Sequence, residues 1–218
     1  LLKKELATFV KLHKLGTLFG NSLRNKYVKN SKRVLNATAE EEMKKFQEMV
    51  GLFQKHADTY AFDYLMLMAQ GFQESKLNQG ARSHRGAVGV MQLLPTTAAD
   101  PAVGIKDVDK SADKNIEAGS KYMRLLADKY LNDPELTPLN KTLMAFAAYN
   151  AGPGNLRKFR RLAQESGLDP NIWFHNVEHS AARVVGRETV DYVGNIYKYY
   201  VAYKLAAEKS KQRKAAQP

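Results

Sequence analysis

The sequence contains no cysteine, few prolines and no long apolar run. Without cysteine the chain has neither disulfides nor thiol chemistry, and either an oxidising or a reducing compartment is compatible with it. Seven prolines and a hydrophobic content of 44% are typical of a folded chain and exclude a disordered one. No apolar segment approaches the ~20 residues that a membrane-spanning helix needs. The 218 residues therefore suit one ordinary domain with an appendage.

Acidic residues are outnumbered, and the formal net charge is +12. A positive field attracts polyanions, such as nucleic acid, an anionic membrane surface or a cell-wall polymer with free peptide carboxylates. The one local cluster lies near the C-terminus, where residues 209–218 are predicted to form a solvated basic tail. No nucleic-acid-binding motif accompanies the charge, so a nucleic-acid partner is not expected.

Apolar residues recur at helical spacing along most of the chain, whereas no convincing long strand or internal repeat occurs. The pattern predicts a mainly α-helical fold with a small extended segment at 82–92, which we call the flap. One predicted helix follows the capping box Thr38–Glu41, the next begins at Phe62, and a third covers about 112–131. A fourth begins after Thr137–Pro138 and a fifth ends near Gly167. A sixth follows the cap Asp169–Pro170, and the last covers about 188–208.

Glu74 occupies the end of the helix that begins at Phe62, and Asn78 and Gly80 are expected to stop that helix. The negative pole of the helix dipole disfavours a carboxylate by roughly 0.3–1 kcal/mol, and burial against Phe72 acts in the same direction. A carboxyl group kept protonated near neutral pH can act as a general acid in glycoside cleavage. The alternative is a solvated glutamate at a helix end.

Short motifs follow Glu74 in a fixed order: residues 74–75 (ES), 81–83 (ARS), 86–95 (GAVGVMQLLP) and 148–152 (AYNAG). Ser83 lies nine residues after Glu74 (83 − 74) and Gln92 eighteen after it (92 − 74). This series resembles the SLT-type lytic transglycosylases, lysozyme-like enzymes that cut bacterial peptidoglycan. Residues 173–178 (WFHNVE) and 187–193 (RETVDYV) are similar to the membrane-bound lytic murein transglycosylase F group. The resemblance covers roughly Asp58 to Leu205.

The resemblance implies a lysozyme-like helical domain of the goose-type or SLT kind, with Glu74 as general acid and then general base. It also implies that Glu188 orients other groups instead of transferring the proton. The substrate-binding residues that it implies are Ser83, Met91, Gln92, Tyr149, Asn150, Glu188 and Tyr192.

The residues by themselves leave plainer interpretations open. The run 86–92 can be a tight turn, and Tyr149 with Asn150 can mark a helix crossing with an asparagine cap. The tyrosines of the last helix can form a core face, which is the usual role of aromatic residues at helical spacing.

The expected reaction is cleavage of the β-1,4 bond between N-acetylmuramic acid (MurNAc) and N-acetylglucosamine (GlcNAc), with no cofactor. Retaining and inverting glycosidases both use a second carboxylate, yet no Asp or Glu occurs between Glu74 and Asp100. Together with the resemblance, this absence predicts a non-hydrolytic reaction that leaves 1,6-anhydro-MurNAc ends. The alternatives are a goose-type lysozyme-like hydrolase and a catalytically silent glycan-binding module.

A competing motif is H-x-x-E-H at His175, Glu178 and His179, the inverted zinc-peptidase signature. A peptidase of that kind needs a further carboxylate ligand, and only Glu188, Asp191 and Glu208 remain downstream. Because the transglycosylase resemblance accounts for the same stretch, no metal site is predicted.

The predicted domain organisation has three parts. Residues 1–36 are interpreted as the tail of a preceding solute-binding-type domain or as a linker, residues 37–208 as the catalytic domain, and residues 209–218 as the basic tail. The full-length chain is expected to carry a regulatory binding-type domain and to act on glycan strands as a monomer. The expected location is the periplasm of a Gram-negative bacterium, at the outer membrane.

Overall fold

Helices form nearly all of the regular structure in the part of the chain that the structure describes. The structure is a computed structural model that describes residues 40–215, with side chains described as far as Glu208. The helices are α1 (Glu40–Tyr60), α2 (Tyr64–Ser75), α3 (Pro95–Ala99), α4 (Ala112–Tyr130), α5 (Pro138–Ala151), α6 (Pro153–Glu165), α7 (Glu178–Val185) and α8 (Glu188–Ala215). The mainly α-helical prediction is confirmed. No helix within residues 40–215 combines the length and apolarity needed to cross a bilayer.

Two helices, α2 and α5, lie in the middle of the core. Every residue from Leu65 to Phe72 of α2 is buried, and so is every residue from Leu143 to Ala148 of α5. A helix that is apolar on all sides is stable only when other helices surround it. Helices α1 and α8 pack on α2, while α4 and α8 pack on α5. This arrangement fixes the end of α2, where Glu74 lies, against α8.

The limits of α2 differ from the predicted ones. The helix begins at Tyr64 because the side chain of Asp63 accepts a hydrogen bond from the backbone N–H of Leu65 at 2.8 Å. It ends at Ser75, since Lys76 adopts the left-handed conformation (φ 58°) and its N–H donates to the Phe72 carbonyl at 3.0 Å. The stop therefore precedes Asn78 and Gly80, which the sequence analysis expected to supply it. Glu74 remains in the last turn.

The predicted limits of α4, α5 and α6 are confirmed. Thr137 caps α5 by accepting from the backbone N–H of Asn140 at 3.3 Å, and Pro138 occupies the first helical position. Gly152 (φ 85°) separates α5 from α6, and Pro153 begins α6. Helix α8 starts at Glu188 as predicted and continues past Glu208 to Ala215. Thr38 and residues 1–36 lie outside the described residues.

The prediction of a helix directly after Asp169–Pro170 is wrong. Asp169 Oδ1 accepts from the backbone N–H of Asn171 at 2.7 Å, so this aspartate caps a local turn. The chain then passes through an irregular segment, Trp173–Val177, in which Phe174 is extended (ψ 134°) and His175 is left-handed (φ 62°). The next helix, α7, begins only at Glu178.

The flap is present as a run of turns with isolated bridges and without a strand ladder. Val88 forms isolated antiparallel bridges with Arg82 and with Leu93, just beyond the flap. A small apolar cluster packs beneath it, comprising Val88, Leu93, Ala98, Val103, Val108 and Ala118. The flap therefore folds over its own satellite core beside α4.

Candidate active site

Glu74 is held by a row of buried polar groups between α2 and α8. The Tyr192 hydroxyl donates to Glu74 Oε1 at 2.5 Å, and Gln70 Nε2 donates to the Tyr192 oxygen at 3.4 Å. Gln70 and Glu74 stand four residues apart on α2 and so share one helix face. Tyr192 is thus positioned by Gln70 and in turn orients the carboxyl group. Gln70 was not predicted as a site residue, although a glutamine within the apolar run of α2 is itself a signal of a buried polar contact.

Burial raises the pKa of Glu74 from 4.5 to about 7, and the hydrogen bond from Tyr192 acts in the opposite direction with a smaller effect. Desolvation penalises the ionised carboxylate, which cannot recover all of its lost hydration from one hydroxyl. A pKa near 7 lets the same group be protonated in one step and ionised in another at neutral pH. The predicted rise in the Glu74 pKa is therefore present.

Tyr149 lies on the other side of Glu74, at the end of α5. Burial raises the pKa of the Tyr149 hydroxyl well above 10, and the negative charge of Glu74 adds to the rise. The hydroxyl donates to the backbone carbonyl of Met91 at 2.8 Å, so its proton is used to hold the flap. The fully buried Met91 thus connects the flap to α5. The structure therefore brings together four of the site residues that the resemblance implied, namely Glu74, Met91, Tyr149 and Tyr192.

Asn115 of α4 is the buried anchor of the flap. Its Nδ2 donates to the carbonyls of Val88 and Val108 at 2.9 and 3.0 Å, and its Oδ1 accepts from the N–H of Met91 at 2.7 Å. Gly89 makes this approach possible, because a Cβ at that position would lie 2.3 Å from Asn115 Nδ2. Gly89 therefore allows the flap backbone to pack closely against α4. Asn115 was missed, although it stands four residues before Gly119 on the same helix face.

Ser75 and Gln79 fasten the flap from the other side. The hydroxyl of Ser75 donates to the Val90 carbonyl at 2.8 Å, and Gln79 Oε1 accepts from the Val90 N–H at 3.3 Å. Gln79 Nε2 also donates to the Val108 carbonyl at 3.0 Å. The residue directly after Glu74 is thus a flap contact, which couples the position of the carboxyl group to that of the flap.

Ser83 and Gln92 make hydrogen bonds within the flap region itself. Ser83 Oγ accepts from the N–H of Ala87 at 3.0 Å, and Gln92 Nε2 donates to the carbonyls of Ala81 and Gly89 at 3.2 and 2.8 Å. Both side chains remain partly accessible. Their predicted sugar contacts stay predictions.

The two remaining predicted residues lie where α5 meets α8. Asn150 Oδ1 accepts from the buried hydroxyl of Thr189 at 2.7 Å, which ties the end of α5 to the start of α8. Glu188 is exposed in the first turn of α8, four residues before Tyr192. Within residues 40–208, neither a hydrogen bond nor an ion pair joins Glu188 to Glu74. Its orienting role stays a prediction, and Thr189 is a neighbour that the sequence analysis missed.

A cavity of about 360 Å³ lies between α3 and α4, and its lining includes none of the predicted site residues. Tyr122 lines it, and the Tyr122 ring lies 5.4 Å from the ring of Tyr149. Thr97, Asp100 and Lys129 supply polar atoms to its wall. Its volume falls within the range of small-ligand pockets, about 300–1,000 Å³. Tyr122 is thus the residue of the cavity wall that contacts Tyr149.

We expect folding stability to depend on pH through Glu74. The folded-state pKa of Glu74, about 7, exceeds the ordinary value of 4.5, so the folded protein binds more protons between these two values and its stability falls as the pH rises. The full shift corresponds to about 3 kcal/mol at ~1.4 kcal/mol per unit. Urea unfolding of the wild type and of Glu74→Gln at about pH 5 and about pH 8 measures this effect. The stability of the wild type relative to the variant should decrease by about 2–3 kcal/mol, and a constant difference would contradict the burial of the charge.

Tyr192→Phe should move the pH dependence of the reaction. The hydrogen bond from Tyr192 lowers the pKa of Glu74, so removing this bond raises that pKa. The alkaline limb of the pH profile of kcat/KM then moves to higher pH by about one unit. Tyr200→Phe is a matched control on the same helix, since the Tyr200 hydroxyl donates to Asp63 at 3.1 Å, at the surface. The limb should stay in place for Tyr200→Phe. An unmoved limb for Tyr192→Phe would mean that this contact does not affect the pKa of Glu74.

A sequence profile of one family matches more than half of the chain. The Transglycosylase SLT domain profile matches residues 51–172. The chain is 34% identical over 162 residues to the membrane-bound lytic murein transglycosylase F of Desulfosudis oleivorans, covering 68% of this chain and 35% of that protein. It is 32% identical over 173 residues to the protein of the same name from Pseudomonas syringae pv. tomato, covering 71% and 33%. The chain thus spans about a third of the length of these curated relatives.

Solved structures show the same architecture. The crystal structure of the 70 kDa soluble lytic transglycosylase from Escherichia coli is similar with a TM-score of 0.56 and 26% sequence identity. The similarity covers 72% of this chain and 24% of that one.

Proposed function

This chain belongs to the transglycosylase SLT domain family, and from that premise we propose that it cleaves the MurNAc–GlcNAc β-1,4 bond of peptidoglycan without hydrolysis. The fold is the lysozyme-like helical domain that the motifs predicted. The observation that carries the proposal is the carboxyl group of Glu74, whose pKa is raised to about 7 by burial and which Tyr192 orients. Peptidoglycan also carries peptide carboxylates, to which a chain of net charge +12 is attracted.

The first step is cleavage of the glycosidic bond. Protonated Glu74 donates its proton to the bridging oxygen, and GlcNAc leaves with its O4 hydroxyl restored. The carbonyl oxygen of the MurNAc acetamide attacks C1 as that bond breaks, giving a cyclic oxazolinium intermediate. This internal nucleophile replaces the second carboxylate of a retaining glycosidase. It is consistent with the absence of Asp and Glu between Glu74 and Asp100.

The second step closes the sugar on itself. Glu74, now ionised, accepts the proton of the MurNAc O6 hydroxyl, and O6 attacks C1 while the bond from C1 to the acetamide oxygen breaks. The product is 1,6-anhydro-MurNAc, and Glu74 is again protonated for the next cycle. Since one group donates and then accepts a proton, a pKa near the working pH favours both steps.

The surrounding residues are proposed to hold the glycan strand. Ser83 contacts the sugar acetamide, Met91 and Gln92 form the floor and a polar contact, and Tyr149, Asn150, Glu188 and Tyr192 complete the binding site. Support comes from the position of Met91 and Tyr149 beside Glu74.

A hydrolase of the goose-type lysozyme kind is the second candidate. The observation that favours it is the position of Glu188, an exposed carboxylate four residues before Tyr192. Tyr192, in turn, contacts Glu74. If that side chain reached the opposite face of the sugar, it could activate a water molecule. A catalytically silent glycan-binding module is a third candidate, and the perturbed pKa of Glu74 argues against it.

Further proposals concern the whole protein. Residues 1–36 are proposed to end a solute-binding-type domain that regulates the enzyme. The relatives' names place such proteins at a membrane, and we propose that this one acts in the periplasm, as a monomer, at the outer membrane. Fractionation of cells that express the intact gene product tests this location.

The activity itself is tested with purified peptidoglycan sacculi. We expect the purified chain to release soluble muropeptides continuously, in an amount that exceeds the enzyme added. A binding module would sediment with the sacculi without releasing fragments. That second outcome would contradict the proposal, provided that circular dichroism shows a folded helical protein.

A further inference from the structure

Two histidines and a glutamate converge at the start of α7, and none of them is among the residues assigned to the Glu74 site. The ligand atoms of His175, Glu178 and His179 all lie within 4.8 Å of one another. The transglycosylase reaction uses none of the three. We propose that this cluster is a binding site for a zinc ion.

The donor set suits zinc. Two imidazole nitrogens and one carboxylate oxygen are common zinc ligands, and the fourth tetrahedral position remains open to water. From the sequence alone, the transglycosylase resemblance accounts for this stretch better than a zinc peptidase does, and such a peptidase needs a further carboxylate ligand. In the structure the third ligand comes from within the motif, since Glu178 itself faces the two histidines. A ligating Glu178 is not available as a general base, so the site is a binding site and not a peptidase centre.

The backbone organises the cluster before any ion binds. His175 adopts the left-handed conformation (φ 62°) in the middle of the irregular segment. Its backbone N–H donates to Glu178 Oε1 at 2.9 Å, and its Nδ1 lies 3.9 Å from the same oxygen. Among residues 40–208, no group hydrogen-bonds the other carboxylate oxygen, Oε2. One oxygen thus fixes the side chain while the second is available to a metal ion.

Access to the cluster is open from one side. The side chain of Glu178 is 11% exposed, whereas that of His175 is 75% exposed, and His179 is also exposed. A carboxylate at the base with two accessible imidazoles above it lets an ion enter from solvent. Elsewhere in the described residues, His56 is buried and bonded to Asp113 at 2.6 Å, and His84 lies by itself in the exposed part of the flap. The latter is therefore a suitable control.

The ion would connect the irregular segment to the first turn of α7. That segment carries the fully buried Trp173 and Phe174, whose ring lies 5.2 Å from Tyr197 of α8. Zinc bound only to the folded chain would stabilise it by mass action. A rise in the thermal midpoint on adding zinc is thus a second readout, and it does not require enzymatic activity.

Isothermal titration of the metal-free protein with zinc chloride tests the site. We expect one equivalent to bind with micromolar affinity, and His179→Ala to weaken that affinity by about tenfold or more. His175→Asn serves in place of alanine because asparagine tolerates the left-handed conformation, and it should show a similar loss. Glu178→Gln keeps the acceptor for the His175 N–H and should lose about tenfold. Magnesium and calcium should not compete, since they prefer oxygen ligands.

His84→Ala should bind zinc with unchanged affinity. Zinc at about 100 times its Kd should raise the thermal midpoint of the wild type and of His84→Ala by about 5 °C, with little change for His179→Ala. The proposal is overturned if the wild type binds zinc only in the millimolar range. It is equally overturned if folded His179→Ala and Glu178→Gln both keep the wild-type affinity.

Discussion

Replacing Glu74 by glutamine should reduce the turnover of peptidoglycan by about 10³-fold or more, because one group supplies both the general acid and the general base. Glutamine has nearly the same shape and can still accept the hydrogen bond of Tyr192. The fold and the binding of glycan should therefore persist. Above neutral pH the variant should be the more stable protein, since it no longer buries a charge.

The measurement is the release of soluble muropeptides from sacculi by the two proteins at equal concentration. Glu165→Gln is the matched control, since Glu165 is an exposed residue at the end of α6. It should keep full activity. If Glu74→Gln retained more than a few per cent of the wild-type rate, Glu74 could not be the catalytic acid.

Replacing Asn115 by alanine should have the largest effect on stability. The change removes three buried hydrogen bonds and leaves the Val88 and Val108 carbonyls and the Met91 N–H without these partners. The Val88 carbonyl keeps the N–H of Leu93 and the Val108 carbonyl keeps Gln79 Nε2, so of the three groups only the Met91 N–H is left unpaired. An unpaired buried group costs about 1–3 kcal/mol and each lost hydrogen bond about 0.5–1.5 kcal/mol, so a total loss of about 3 kcal/mol is expected. Activity should fall as well, because Met91 also positions the hydroxyl of Tyr149.

Urea unfolding of Asn115→Ala at one fixed pH gives this loss directly. Asn132→Ala is the control, because Asn132 is an exposed residue just after α4, and its effect should stay within about 0.5 kcal/mol. A loss below about 1 kcal/mol for Asn115→Ala would show that the flap does not depend on this side chain.

The sequence predicts those parts of the molecule that local chemistry determines. The apolar spacing of α4 and the Thr137–Pro138 start of α5 are local signals, and both helices lie where they were predicted. Glu74 was placed at a helix end with a raised pKa, and the structure agrees. The residue that stops α2 was not predicted, because a lysine in the left-handed conformation, Lys76, carries no local signal for that conformation.

The remaining features depend on contacts between segments that are distant in the sequence. The buried roles of Asn115 and Gln70 depend on the flap and on α8, which apolar periodicity does not report. The helix predicted after Asp169 is absent because the Asp169 side chain caps a local turn instead. In the same way, the approach of Glu178 to His175 requires a left-handed residue that the motif itself does not specify.

Mass analysis of the muropeptides released by the purified chain tests the central claim most directly. The proposed mechanism predicts that each new MurNAc end is lighter by one water than the hydrolytic product and resists reduction by borohydride. It predicts this because O6 of the same sugar, and not water, attacks C1. Released fragments with ordinary reducing ends that borohydride converts would identify a hydrolase and contradict the non-hydrolytic mechanism.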